Sequence, residues 1–133
     1  MPLGRLIVVD TSVWIDYFRR GTSTAAQRLE KLLHEEVVFL TPVIRAELLS
    51  GTPTQQAYDL LKDRLSVIPL LEGPSHLWDL VAQGRFRLAR KGIQASLIDV
   101  SIAVVARHHR CALYSLDKDF SQISKVLPLN LLS

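Results

Sequence analysis

Residues 6–12 constrain the fold of this chain more than any other segment. The first four, Leu-Ile-Val-Val, are apolar and three of them are β-branched, which is typical of a short strand buried on both faces. Asp10 follows directly, and then come two hydroxyl residues, Thr11 and Ser12, that can cap a following helix. In an open α/β sheet, ligands bind beyond the carboxyl ends of the strands. Asp10 is therefore predicted to lie where a ligand would bind.

The rest of the chain alternates apolar runs with helix-start signals. Further strands are predicted at residues 37–40, 66–70 and 111–114, with a last one around 126–127. Helices are predicted over residues 11–20, from about 22 to 34, over 42–50, from about 53 to 64, from about 75 to 90 with a break or bend near Gly84, and over 96–109. This alternation predicts an α/β fold, a three-layer sandwich around a short, mainly parallel sheet, in one domain spanning residues 1–133.

Composition excludes several classes of site and location. The single cysteine, Cys111, rules out an internal disulfide and a cysteine-based zinc site. No apolar run approaches the roughly 18–20 residues of a membrane span, and residues 1–4 are too short for a signal peptide, so we expect a cytoplasmic protein with no membrane contact. The net charge of +3 is a weak indication of nucleic acid by itself. Beside a cluster of acids, it favours a metal held against phosphate.

Glu47 and Asp99 are acids in predicted helices with no basic residue three or four positions away. Glu47 shares a helix face with Val43 and Ala46, and burying its charge there would be costly unless something neutralised it. Two ordinary alternatives remain. Glu47 could lie at the rim of that face, and Asp99 could complete a capping box that begins at Ser96.

Asp10, Asp117 and Asp119 each come after a predicted strand. Asp10 alone could cap the first helix, and aspartate is common in turns such as the one at residues 115–120. Together with the two helical acids, however, these positions converge on one edge of a parallel sheet. Clustered carboxylates raise one another's pKa values unless a cation lies among them, and oxygen ligands without sulfur favour Mg²⁺ or Mn²⁺.

Asp16 has an ordinary explanation. Arg19 and Arg20 follow it at three and four positions, which is the spacing of a solvated ion pair on a helix. Asp16 is therefore predicted to be a surface residue outside the site.

Four segments that contain the acids resemble a PIN domain, and in particular the VapC-type ribonuclease toxins of prokaryotic toxin–antitoxin pairs. The segments are VVDTSVWID at 8–16, PVIRAEL at 42–48, ID followed by IA at 98–103, and YSLDKDF at 114–120. They occur in the right order, and the likeness extends over almost the whole chain.

The resemblance implies a metal-dependent endoribonuclease, the toxin component of a type II toxin–antitoxin system. It would hydrolyse RNA phosphodiester bonds with a water activated by one or two Mg²⁺ or Mn²⁺ ions. The resemblance also implies a cognate antitoxin protein and a homodimer. The catalytic and metal-binding acids correspond to Asp10, Glu47, Asp99 and Asp117, with Asp119 as the alternative to Asp117.

The resemblance further implies supporting hydroxyls near the acids. Thr11 or Ser12 would supply one, and Ser115 stands where the family often has threonine. Leu116 departs from a position that is frequently basic or polar in relatives, which leaves one RNA contact unassigned.

The densest basic stretch consists of Arg85, Arg87, Arg90 and Lys91. It is either a solvated helix face or a contact for the RNA backbone.

The main alternative function is a catalytically inactive PIN-like module that binds nucleic acid. Such a module would tolerate losing acids, whereas all four are present. A phosphoacceptor domain usually needs adjacent acids after its first strand, and a nucleotide-binding fold usually needs a glycine-rich phosphate loop, and the chain has neither.

Overall fold

A parallel sheet forms the centre of the fold in a computed structural model that describes residues 5–19 and 21–132. Within those residues it has four strands: β1 (Leu6–Val9), β2 (Val37–Phe39), β3 (Ala112–Tyr114) and β4 (Asn130–Leu131). Their order is β2-β1-β3-β4 and every pairing is parallel. The carboxyl ends of the strands therefore lie at the same edge of the sheet.

Helices connect and flank these strands. They are α1 (Thr11–Arg19), α2 (Thr24–Glu35), α3 (Pro42–Ser50), α4 (Gln55–Leu65), α5 (Leu77–Arg90), α6 (Leu97–His108) and α7 (Asp119–Ile123). The hydroxyls of Ser23, Thr41 and Ser96 accept hydrogen bonds from the first turns of α2, α3 and α6, which explains where these helices begin. The predicted α/β sandwich around a parallel sheet is confirmed.

The core lies on both sides of β1. Ile7, Val8 and Val9 are fully buried, as predicted for a central strand covered on both faces. The helix α6 is buried over most of its length, contacts β3 and packs along α5. On the other flank, α1 packs against α2 and α3. Among the described residues, no helix is both long and apolar enough to cross a bilayer.

The predicted strand at residues 66–70 is wrong. Only Leu70 forms a parallel bridge, with Leu40, and Val67 is 79% exposed. The carbonyl of Pro69 accepts a hydrogen bond from Leu40, but proline has no N–H to extend the ladder. Ser66, the first residue of the predicted strand, caps the end of α4, so little chain remains to form a strand.

The last strand lies at Asn130–Leu131 and not at residues 126–127. Val126 and Leu127 are buried, which is why their apolar character suggested a strand. Their N–H groups instead donate to the carbonyl of Ile123 at the end of α7.

The starts of two helices differ in smaller ways from the prediction. The cap of α4 is Thr54, while the Thr52 hydroxyl donates to Leu49 at the end of α3. The long helix α5 begins at Leu77, two residues later than predicted. Residues 1–4 and Arg20, the predicted end of the first helix, lie outside the described residues.

Gly84 does not interrupt α5. It is buried, and a Cβ atom there would lie 3.1 Å from Leu127 Cδ1 and 3.3 Å from Val100 Cγ1. The absence of a side chain therefore lets α5 approach α6 and the end of the chain closely. At the other end of α5, Gly73 lies beside Val105, so α5 and α6 run antiparallel.

Candidate active site

Asp10 lies at the carboxyl end of β1 and only 5% of it is exposed. Its N–H donates to the carbonyl of Tyr114 at 2.9 Å, which ties the ends of β1 and β3 together. One carboxylate oxygen, Oδ2, accepts from Ser12 Oγ at 3.0 Å and from Ser115 Oγ at 2.9 Å. Two hydroxyls from opposite ends of the sequence therefore fix the orientation of this buried carboxylate.

The same hydroxyls tie the loop after β3 to the first turn of α1 and order that loop internally. Ser12 Oγ accepts from the N–H of Leu116 at 3.3 Å, and Ser115 Oγ accepts from the N–H of Asp117 at 2.9 Å. Asp117 Oδ1 in turn accepts from the N–H of Asp119 at 2.9 Å, as α7 begins. These contacts hold two exposed carboxylates beside the buried one.

Asp99 reaches the same place from the first turn of α6. Its N–H donates to Ser96 Oγ at 3.0 Å, so the capping interpretation holds for the backbone. Its carboxylate also meets those of Asp117 and Asp119, with one oxygen from each lying within 4.8 Å of the others. Asp99 therefore both begins the helix and belongs to an acidic cluster.

The pKa of Asp99 shows how strongly these acids interact. Partial burial, followed by the negative charges of Asp10 and Asp117, raises it from 3.8 to about 6. A hydrogen bond that the Asp99 carboxylate accepts from Ser96 lowers the pKa, but by less. Asp10 lies outside the group of three acids within 4.8 Å, yet its charge acts on the same carboxylate.

Glu47 is connected to the site through a hydroxyl and not through another carboxylate. It is half-buried on α3, and its Oε1 accepts from Thr11 Oγ1 at 2.8 Å. Like Asp10, it lies outside the three-acid group. Thr11 belongs to the first turn of α1, directly after Asp10, so this hydroxyl connects Glu47 to the edge where the other acids lie.

The donor set fits a hard divalent cation. All of its side-chain ligands are carboxylate oxygens, which Mg²⁺ and Mn²⁺ prefer. Among the residues described, no lysine or arginine forms an ion pair with Asp10, Glu47, Asp99 or Asp117. The repulsion that raises the pKa of Asp99 is thus left without a protein cation to relieve it.

The three predicted hydroxyls all contact acids. Thr11 and Ser12 were alternatives in the sequence, but each has its own carboxylate, Glu47 and Asp10 respectively. Asp117 and Asp119 both contribute an oxygen to the three-acid group with Asp99. The sequence did not reveal the contact between Thr11 and Glu47. The two residues are 36 positions apart, and only the packing of their helices brings them together.

Asp16 makes a contact that the sequence did not predict. It is half-buried, and its carboxylate accepts a hydrogen bond from Ser23 Oγ, the residue that caps α2. Asp16 therefore joins α1 to α2 as well as lying near Arg19 in sequence. No signal in the sequence distinguishes this contact from a solvated helix pair.

The four basic residues of α5 and its end are exposed. Arg85 Nε donates to the carbonyl of Ala95 at 2.8 Å, and the Arg90 guanidinium lies 4.3 Å from the centroid of the Phe86 ring. Since α5 and α6 are antiparallel, this end of α5 lies beside the first turn of α6, which carries Asp99.

Comparison with known proteins agrees with this arrangement. The PIN domain family model matches residues 7–126. A VapC ribonuclease from Mycobacterium bovis and ribonuclease VapC11 from Mycobacterium tuberculosis are each 30% identical over 128 residues, covering 93% of this chain and 96% of theirs. Among solved structures, VapBC2 from Rickettsia felis, bound to a promoter DNA fragment, has a TM-score of 0.78 at 19% identity, covering 96% of this chain and 97% of that one. This chain belongs to the PIN domain family and, within it, to the VapC-type ribonucleases.

Proposed function

We propose that this protein is a divalent-metal-dependent endoribonuclease that acts as the cytoplasmic toxin of a type II toxin–antitoxin pair. The observation that supports the proposal is the cluster of Asp99, Asp117 and Asp119 beside the buried Asp10, in a chain of this family. Glu47 joins this group through the Thr11 hydroxyl. An acidic site on a protein of net charge +3 suits a substrate whose phosphates need a cation between them and the carboxylates.

Asp99, Asp117 and Asp119 would supply oxygen ligands to the cation. Asp10, whose charge acts on Asp99, and Glu47, which Thr11 contacts, would add further negative charge to the site. When bound, Mg²⁺ or Mn²⁺ would lower the pKa of water and neutralise charge on the scissile phosphate. The protein's own part is positioning. Ser12 and Ser115 hold Asp10, and Thr11 holds Glu47, so the carboxylates are oriented before substrate arrives.

We expect the metal to bind without RNA. Calorimetry should show Mg²⁺ or Mn²⁺ binding at millimolar concentration or below, and the melting temperature should rise with occupancy. Absence of any divalent binding in this range would contradict the proposed metal site.

The decisive experiment is RNA cleavage with Mg²⁺ or Mn²⁺, with and without a chelator. The wild type should cleave only with metal, and Asp10→Asn, Glu47→Gln and Asp99→Asn should each abolish cleavage while remaining folded. Asp63→Asn, which neutralises an exposed acid near the end of α4, is the matched control and should cleave normally. Full activity in any of the three site variants would remove that residue from the site.

A catalytically inactive module that binds nucleic acid is the alternative. It would bind RNA but show no metal-dependent cleavage by the wild type under any condition. Retention of the complete acid set, with each acid in contact with the others or with an orienting hydroxyl, favours the enzyme.

The protein partners follow from the family. The Rickettsia felis relative is a VapBC complex, and we propose that this chain likewise binds a cognate antitoxin that blocks the acids. We also propose a homodimer. Added antitoxin should suppress cleavage, and sedimentation of the isolated chain should give twice its 15.0 kDa mass.

A further inference from the structure

The last turns of α5 carry an exposed aromatic ring among cations. Phe86 is 57% exposed, and the Arg90 guanidinium stacks over it at 4.3 Å from the ring centroid. Residues 83–98 contain four cations, Arg85, Arg87, Arg90 and Lys91, and no acid. An exposed large apolar side chain is unremarkable alone, but one placed within an acid-free cationic stretch combines stacking with attraction for polyanions.

The backbone of this end of α5 packs beside the first turn of α6. Gly84 sits against Val100, the residue after Asp99, and fixes the spacing between α5 and α6. Arg85 Nε also donates a hydrogen bond to the carbonyl of Ala95, in the loop that leads into α6. These contacts anchor the helical turn that carries Phe86 next to the turn that carries Asp99.

We propose that Phe86 and Arg90 form a stacking platform for an unpaired nucleobase of the RNA substrate, on the exposed face of α5 opposite the one that packs against α6. The inference rests on the proposed ribonuclease function. Aromatic rings and guanidinium planes both stack on bases, and unpaired bases are what proteins read most readily in RNA. The cations at Arg87 and Lys91 would lie close enough in sequence to meet the flanking phosphates.

The charge of this surface favours RNA over a second copy of this chain as its occupant. A second copy of this chain would place the same four cations opposite one another, which is unfavourable without intervening acids. A polyanion with exposed bases satisfies both the ring and the cations. We therefore assign the platform to nucleic acid.

The test compares two probes, a short single-stranded RNA and an abasic ribose-phosphate oligomer of the same length. Binding of the full chain is measured with a chelator present so that the RNA stays intact. Phe86→Ala should weaken binding of the RNA about tenfold to a hundredfold. The same variant should leave binding of the abasic oligomer unchanged, because that probe has no base to stack.

Two further variants sharpen the result. Phe86→Trp should retain RNA affinity, and RNA should quench its added fluorescence while the abasic oligomer should not. Trp78→Ala removes another aromatic of α5 with 56% exposure, two turns away, and should bind both probes like the wild type.

Three results would overturn the platform. Phe86→Ala could bind RNA as well as the wild type, lose affinity equally for both probes, or lose dimer or antitoxin binding while keeping RNA. If the wild type neither binds nor cleaves any RNA, the proposed function itself fails. If the wild type cleaves RNA and Phe86→Ala binds RNA as tightly as the wild type, the platform is refuted but the proposed function is not.

Discussion

Ser115, like Ser12, has a hydroxyl that makes two hydrogen bonds within the site. Its hydroxyl donates to the buried carboxylate of Asp10 and accepts from the N–H of Asp117, so one oxygen atom joins the ends of two neighbouring strands. A hydroxyl can do both at once because it is a donor and an acceptor. This explains why the position needs serine or threonine and not merely a small residue.

We expect Ser115→Ala to destabilise the protein by about 1–3 kcal/mol, because it removes one of two hydroxyl donors to a buried carboxylate and leaves an N–H without its acceptor. RNA cleavage should fall as well, since Asp10 loses part of its orientation. Denaturant unfolding and single-turnover cleavage measure the two effects. Ser121→Ala removes an exposed hydroxyl that donates to Lys118 in the same region and should change neither. Equal behaviour of the two variants would contradict the role assigned to Ser115.

The raised pKa of Asp99 predicts how the free energy of unfolding depends on pH. Its pKa in the folded chain is about 6, above the ordinary 3.8, so the folded state binds more protons than the unfolded state between these values. Without divalent metal, this residue therefore lowers the free energy of unfolding as pH rises from about 4 to above 6, and the loss persists at higher pH.

Asp99→Asn should remove that loss. With a chelator present, the variant should be more stable than the wild type at about pH 8, and the two should converge near pH 4, where Asp99 is protonated. Urea unfolding across this pH range measures the difference. Asp63→Asn serves again as the control, with the pH profile of the wild type. A wild type whose stability does not fall relative to Asp99→Asn would show that burial and the neighbouring acids do not raise the pKa of Asp99 as described.

At the scale of elements, the close approach of α5 and α6 depends on Gly84. We expect Gly84→Val to destabilise the protein by about 1–3 kcal/mol, because its Cβ would already crowd Leu127 and Val100 before the two methyl groups are added. Thermal unfolding measures the effect. Ala82→Val, at an exposed position on the same helix, controls for the helix propensity of valine. Similar melting temperatures for both variants would mean that the helices can separate at little cost.

The elements that the sequence predicted correctly are those with local signals. The hydroxyl caps of α2, α3 and α6 mark their starts, and the apolar run before Asp10 marks β1. The errors at residues 66–70 and 126–127 have one cause. Short apolar runs are buried in either case, and only tertiary hydrogen bonding decides whether they pair as strands.

The candidate site was predictable for a different reason. Parallel strands bring their carboxyl ends to one edge, so Asp10 and Asp117 could be placed together before any contact was known. The joining of Thr11 to Glu47 and the stacking of Arg90 on Phe86 could not be predicted, because they depend on how helices pack and on side-chain rotamers.

At the scale of the whole molecule, negative and positive groups are separated but adjacent. The acids lie at the carboxyl edge of the sheet, and an acid-free basic stretch lies along the neighbouring end of α5. This separation predicts that RNA binding and RNA cleavage can be impaired independently. The cleanest basic variants are Arg87→Gln and Lys91→Gln combined, because Arg85 holds Ala95 and Arg90 stacks on Phe86.

The double variant Arg87→Gln/Lys91→Gln should bind RNA more weakly and flatten the dependence of log affinity on log salt. Each lost phosphate contact should remove roughly 0.7–1 unit of that slope. Single-turnover cleavage at saturating RNA should survive, whereas Asp10→Asn should keep RNA affinity and lose cleavage. Equilibrium binding over a salt series, measured on both variants, separates the two effects. Lys31→Gln/Lys62→Gln removes the same charge from exposed positions on α2 and α4 and should preserve the wild-type slope. If the two double variants have equal slopes, the end of α5 is a solvated face and the RNA backbone runs elsewhere.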